Sequence, residues 1–207
     1  MSKSRIKQII RKTLLRVIAL LKEQGEPKYL IGNMTHHSSN VDSLIPQFIK
    51  IGNNFISAPN SIILAHDASY FLMSGRYRVE PVEIGDDVFL GAGAIVLPGV
   101  KIGNRVVIGA GSIVTNNVPD NCVVAGNPSK VICTIDEYLE KAAKRDVLYS
   151  APYTIEDLVR NKGKVTDEQC NEFQKAAITE YERRYPNANT WIKYGSKNAN
   201  IANINMV

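Results

Sequence analysis

The chain has little cysteine, and none of it is paired in sequence. Cys122, Cys133 and Cys170 are odd in number and show no CxxC spacing. That argues against a disulfide framework or a zinc knuckle and fits a reducing, cytoplasmic setting. Long apolar runs are missing too. Near the start the longest is Val17 to Leu21, far too short to span a bilayer. Arg11, Lys12 and Arg16 interrupt that stretch, which makes it a poor signal-peptide core. Extreme charge is also absent. A net charge of +5 suits an anionic small ligand or a membrane surface, and does not call for a nucleic-acid partner. What remains is an ordinary composition, 44% apolar and 22% charged over 207 residues. That length allows one sizeable core or two small domains.

The strongest positive signal is a repeat. From Ile84 to Pro119 the sequence reads IGDDVF, LGAGAI, VLPGVK, IGNRVV, IGAGSI, VTNNVP. The first column is Ile84, Leu90, Val96, Ile102, Ile108 and Val114, all aliphatic. The fifth is Val88, Ala94, Val100, Val106, Ser112 and Val118, all small or β-branched. Glycine takes the second place at Gly85, Gly91, Gly103 and Gly109, and turn formers such as Asp86, Asp87 and Asn104 follow. Neither a 3.6-residue nor a two-residue period fits so well. A short strict period marks a solenoid, whose units bury their apolar side only by stacking on one another.

Four segments follow. Residues 1–25 carry an amphipathic helix over Ser4 to Glu23, stopped by Gly25 and Pro27, with a basic polar face. Packing on the solenoid and lying against anionic lipid both fit that pattern. Residues 26–133 form the solenoid. Its opening coils from Leu30 to Ile49 are irregular, with polar residues where a buried column should be, and the period locks in at Ile51. Ile63 and Ile84 are 21 apart, not a multiple of six, so an excursion over residues 70–82 leaves the coil. Long loops on rigid scaffolds often carry function. Residues 134–186 are helical: Thr134 caps a helix to Arg145, and further helices span Thr154 to Asn161 and Thr166 to Tyr185. Residues 187–207 are an asparagine-rich tail without a period.

The strings IGNNFISAPNSIILAHDAS and VEIGDDVFLGAGAIVLPGVKIGNRVVIGAGSIVTNNVPDNCVVAGNPSKVI resemble the hexapeptide-repeat acyltransferases. The similarity is greatest to galactoside, maltose and xenobiotic acetyltransferases and to bacterial polysaccharide O-acetyltransferases. It covers Ile51 to Ile132. The resemblance implies a mainly β fold, a left-handed parallel β-helix with an N-terminal amphipathic helix and C-terminal helices. The left hand comes from the resemblance, since period alone does not set it and the usual crossover is right-handed. It further implies a homotrimer with sites between subunits, acetyl-CoA as co-substrate, no metal in catalysis, and a saccharide hydroxyl as acceptor. Such a chain would work in the cytoplasm, with the N-terminal helix as a candidate contact to the inner membrane face.

The same resemblance points to roles. His66, in ILAHDAS, stands where the family places the base that takes the acceptor's proton. A histidine suits that work near neutrality. Ala92 matches the backbone N–H that meets the thioester oxygen, with Gly91 beside it. Gly109, Ala110 and Thr115 match the groove for pantetheine and later parts of CoA, and Lys130 in AGNPSKVI the phosphate contact. A second basic position of the family is Cys133 here. The acceptor side draws on His36, His37 and Asn40 from the opening coils, Phe89 as an aromatic liner, and Arg76 and Arg78 from the excursion. The same scaffold also serves N-acetyltransferases on amino-sugar nucleotides and xenobiotic or serine acetyltransferases. A γ-type carbonic anhydrase shares the β-helix, but its closely spaced later histidine pair is missing. A non-catalytic scaffold is the remaining alternative.

Overall fold

In the computed structural model, residues 29–187 are described. The expected N-terminal helix lies outside them, as does the asparagine-rich tail from residue 188 on. The described residues fall into a coil-built unit ending at Tyr138 and a helical unit from Leu139 onward. The fold is mainly β.

Three parallel sheets make the coil, and the chain visits them in turn. The first face stacks Leu30–Ile31, Ile49–Ile51, Val82–Ile84 and Lys101–Ile102. The second stacks Met34–His36, Phe55–Ser57, Val88–Leu90, Val106–Ile108 and Cys122–Ala125. The third stacks Asn40–Val41, Ile62–Ile63, Ile95–Val96 and Ile113–Val114. In the regular part Val88 lies over Val106, Leu90 over Ile108 and Ile95 over Ile113, a constant step of three hexapeptides. Both apolar columns point inward. Ile84, Leu90, Val96, Ile102, Ile108 and Val114 are buried, and so are Val88, Ala94, Val100, Val106, Ser112 and Val118. Phe55 and Ile49 extend the same core into the earlier coils.

The corners explain the glycine column. A Cβ on Gly85 would come within 2.7 Å of the Gly103 carbonyl oxygen, so close stacking, not a positive φ, demands glycine there. The turn itself is made further along the corner, by Asn54, Asp87, Arg105 and Asn121 at φ of 54°, 57°, 55° and 56°. A side-chain ladder ties corner to corner. Asn53 Oδ1 accepts from the Asn33 N–H at 2.9 Å, Asp86 Oδ1 from Asn53 at 2.6 Å, Asn104 Oδ1 from Asp86 at 2.9 Å, and Asp120 Oδ1 from Asn104 at 2.7 Å. Each acceptor satisfies an N–H that stacking would otherwise strand.

The opening coils are irregular for a physical reason. Val41 pairs with Ile63, a longer step than in the regular part, and a 3₁₀ turn at Pro46–Phe48 takes up the extra chain. Ser57 and Ser61 are fully buried, where the next coil carries Leu90 and Ala94. Their hydroxyls are satisfied: Ser57 Oγ accepts from the Ser38 and Ser39 N–H groups at 2.8 and 3.1 Å, and Ser61 Oγ donates to the Ala58 carbonyl at 2.8 Å.

The excursion starts earlier than residue 70. His66–Asp67 pairs antiparallel with Arg78–Val79, and a short helix, Phe71–Ser74, crosses the tip. Val82 is already back in the first face and buried. The arm is therefore a hairpin whose first stem residue is His66. At the other end of the coil, Lys130–Thr134 turns back antiparallel on Cys122–Ala125. Thr134 then caps helix Ile135–Lys144: its N–H donates to Glu137 Oε2 at 2.8 Å, and the Glu137 N–H donates back to Thr134 Oγ1 at 3.2 Å.

The helical unit contains Ile155–Arg160 and Asp167–Arg184, each opened by a threonine capping box, at Thr154 and at Thr166. Arg184 knots it together. Its guanidinium donates to Glu180 and to the carbonyls of Asp146 and Leu148, and lies 4.5 Å over the Tyr149 ring. Hydrogen bonds from Arg183 and Arg184 pull the Glu180 carboxyl down to about 2.

Candidate active site

One buried carboxylate organises the site. Asp42 is 4% exposed, just past the third face of the opening coil. Its Oδ1 accepts the N–H groups of Leu44 and Ile45 at 2.9 and 3.3 Å. Oδ2 accepts the N–H groups of Ala65 and His66, each at 3.0 Å, and meets His66 Nδ1 at 2.5 Å. Burial by itself raises the carboxyl pKa, but the His66 hydrogen bond and the backbone donors outweigh it and hold the group below the ordinary aspartate value. An ionised carboxylate only accepts, so Nδ1 carries the proton and donates. In the neutral ring Nε2, on the far side from the carboxylate, then keeps its lone pair. The imidazole is part-exposed, at 23% of its side-chain surface. A base oriented by a buried acid, with its second nitrogen unprotonated, can take a proton from a substrate.

Asp42 was not among the residues singled out from sequence. Asp42 and Ser43 look like an ordinary turn, and its side chain does close one through the Leu44 N–H. No periodic signal marks it, because the pairing of Val41 with Ile63 sets Asp42 opposite Leu64, outside the buried columns.

The other candidates scatter over the coil. The His37 ring is engaged where it stands. Nδ1 accepts from the Ser39 N–H at 3.2 Å, Nε2 meets the Tyr29 hydroxyl at 2.7 Å, and the ring sits edge-on to Phe55 at 5.9 Å. His36 lies in strand Met34–His36 on the second face. Asn40 begins the third-face strand and is exposed. Phe89 points outward from the second face, 39% exposed. Arg76 follows the tip of the arm and is exposed. Arg78 braces the arm instead of standing open: Nε donates to Glu80 Oε1 at 2.5 Å and Nη2 to the Pro98 carbonyl at 3.0 Å. The His66 ring meets Asp42 and the arm's Tyr77, whose ring centroid is 6.0 Å away.

The residues matched to acetyl-CoA lie along another corner. Turns Gly91–Ala94 and Gly109–Ser112 join the second face to the third, with φ of 66° at Gly93 and 67° at Gly111. The Gly91 N–H donates to the Ile108 carbonyl, Gly93 to Pro59, Gly109 to Val124 and Gly111 to Ala92. Among the described residues, the N–H groups of Ala92 and Ala110 donate to no carbonyl, and both residues are exposed. The corresponding place one coil earlier is Pro59, which has no N–H at all. Stacking makes no use of this donor, so it is open to a ligand carbonyl. Thr115 and Lys130 are exposed further along. Such a row of donors fits the oxygens of a thioester and an amide-bearing arm. Among the described residues no group of three or more His, Cys, Asp or Glu is arranged to hold a metal ion. No described helix is long and apolar enough to cross a membrane.

Residues 81–116 match the family description "Bacterial transferase hexapeptide (six repeats)". The chain is 42% identical over 103 residues to "Putative acetyltransferase YvoF" of Bacillus subtilis (strain 168), covering 50% of this chain and 58% of that one. It is 40% identical over 113 residues to "Protein CapG" of Staphylococcus aureus, covering 53% of this chain and 63% of that one. The chain thus spans about six tenths of the length of these curated relatives. Among solved structures, a maltose O-acetyltransferase from Clostridium difficile 630 is 33% identical, with a TM-score of 0.42, over 51% of this chain and 66% of that one.

Proposed function

We propose that this chain, whose residues 81–116 match the bacterial transferase hexapeptide description, is an acetyl-CoA-dependent O-acetyltransferase acting on a saccharide hydroxyl. The observation that carries the reading is the Asp42–His66 pair, an oriented base at the root of a hairpin arm. The acetyltransferase name of the 42% identical Bacillus subtilis relative supports the reaction class. The acceptor is a surface polysaccharide or its precursor, and the coil is left-handed.

In the proposed reaction His66 Nε2 takes the proton of the acceptor hydroxyl as its oxygen attacks the thioester carbon. The charge that gathers on the thioester oxygen is met by the Ala92 N–H, a preorganised donor of the kind worth several kcal/mol in such steps. When the C–S bond breaks, His66 returns the proton to the departing sulfur. Protons and electron pairs balance without a metal or an acyl-enzyme. Gly91, Gly109, Ala110 and Thr115 line the arm of the donor, and Lys130 meets its phosphates.

The unit that works is a homotrimer. Strands of the third face run from the Ala92 corner towards the His66 corner, so the two halves of the site stand at opposite edges of one face. At ~3.3 Å per residue, a six-residue unit separates them by roughly 15–20 Å. One subunit cannot close that gap, whereas a three-fold axis facing this side sets one copy's His66 beside the next copy's Ala92. The outward rows of the third face (Ile62, Ile95, Ile113) and of the second (Ile56, Phe89, Val107) are apolar, while the first face carries Lys50, Glu83 and Lys101. Such apolar rows on an otherwise polar surface mark contact sites. The same proposal puts its work in the cytoplasm, with the basic stretch before Gly25 as a peripheral membrane contact.

The test is release of free CoA on incubation with acetyl-CoA and a panel of saccharides, sugar nucleotides and polysaccharides. Turnover with a hydroxyl acceptor that His66→Ala lowers at least about a hundredfold is expected. Near-normal turnover in His66→Ala would sink the mechanism. Tight stoichiometric zinc would move the chain to the carbonic anhydrase reading.

A further inference from the structure

The arm carries aromatic side chains that the chemistry above does not use. Tyr77 lies just before the returning stem strand, its ring centroid 6.0 Å from that of His66 and inclined by 52°. Phe71, from the tip helix, packs on Tyr77 at 5.1 Å and 40°. The two rings are 46% and 47% exposed, although large aromatics are ordinarily covered. They are not loosely held. His66 pairs with Val79 and Asp67 with Arg78 in the stem, and Arg78 is tied to Glu80 and to the Pro98 carbonyl of the next coil. Gly75, at φ 67°, ends the tip helix and returns the chain towards Tyr77. The result is a braced pair of exposed rings against the imidazole that holds the free Nε2.

We propose that Tyr77 and Phe71 form the platform on which the acceptor's sugar ring stacks, and that Tyr77 sets its height against His66. This rests on the reading of His66 as the base of a saccharide acetyltransferase. A pyranose has the complementary chemistry: an apolar face of C–H groups for an aromatic ring, and a rim of hydroxyls for hydrogen bonds. A ring lying on Tyr77 turns that rim towards the imidazole, where the proton is taken. An aliphatic amino-acid acceptor has no such face and gains nothing from the platform. Phe89, the aromatic liner that the family resemblance implies, points outward from the second face, whereas Tyr77 is in contact with the base. Aromatic rings with a few polar groups at one edge are the usual lining of small-ligand sites.

The experiment compares wild type with Tyr77→Ala, Tyr77→Phe and Phe71→Ala in two measurements. One is direct binding of the saccharide panel without acetyl-CoA, by saturation-transfer NMR and titration. The other is steady-state kinetics on the same acceptors. Tyr77→Ala is expected to raise the saccharide Kd and the acceptor KM by about tenfold, the scale of losing one aromatic contact. The KM for acetyl-CoA stays within about twofold, and Tyr77→Phe keeps the acceptor affinity because the ring remains. Equal saccharide affinity in wild type and Tyr77→Ala overturns the platform, as does a wild type that binds no saccharide, or an equal loss of acetyl-CoA affinity. The two readings fail separately. Saccharide transfer unchanged in Tyr77→Ala removes the platform and leaves the transferase. Tyr77-dependent saccharide binding without CoA release removes the transferase and leaves the platform.

Discussion

Asp42 holds two roles at once, and its charge state links them. Its carboxylate satisfies four backbone N–H groups and fixes the His66 tautomer. Asp42→Asn offers a neutral amide where Nδ1–H and two backbone donors now converge. Acetyl transfer in this variant is expected to fall by about tenfold to a thousandfold in kcat, with the KM for acetyl-CoA little changed. The same group predicts a pH effect on stability. Its folded pKa lies below the ordinary value of 3.8, so its contribution is whole above that value and is lost as pH falls through the lower folded one. Thermal melts of wild type and Asp42→Asn from pH 7 to pH 3 should converge only below about pH 4. A gap that closes between pH 7 and 5 would show that another group is responsible. Residue type alone misleads at this scale. His37 is the same residue type as His66, yet its ring is taken up by Tyr29, Ser39 and Phe55.

At the scale of the element, what could be read in advance followed the strictness of the period. Two columns, each with a period of six residues, predicted the buried positions from Ile84 to Val118, and each of them is buried. Removing one side chain there leaves a cavity between stiff coils: Leu90→Ala should cost about 2–5 kcal/mol, measured by denaturant unfolding. A loss under about 1 kcal/mol would mean that the coil collapses around the gap. The glycines were legible in place but not in cause, because close stacking at Gly85 can be known only from the neighbouring coil. The arm's true start was hidden because His66 and Asp67 continue the hexapeptide register before pairing with Arg78 and Val79. The opening coil was hardest to read. Its step is longer than three hexapeptides, so nothing in the local pattern sets Asp42 beside a histidine 24 residues later.

For the whole molecule, the distribution of apolar surface makes the sharpest demand. A charge placed in the outward isoleucine row, as in Ile95→Lys, should prevent association of copies. Light scattering after size exclusion is expected to give three chain masses for wild type and one for the variant. Acetyl transfer should disappear with the trimer while circular dichroism stays unchanged, because the proposed site draws on a second copy. A monomeric wild type with full turnover would refute the shared site. The arm bears on the molecule in one further way. Ile51 lies over Ile84 and Ile84 over Ile102, so the stack closes identically whether 33 or 18 residues separate the two levels. The coil does not register what is spliced in at His66. Residues between Asp67 and Glu80 can therefore be lengthened, shortened or exchanged without disturbing a buried column, and a change of acceptor need not be bought with stability. Divergence in this scaffold has a ready port of entry, next to the base and outside the frame.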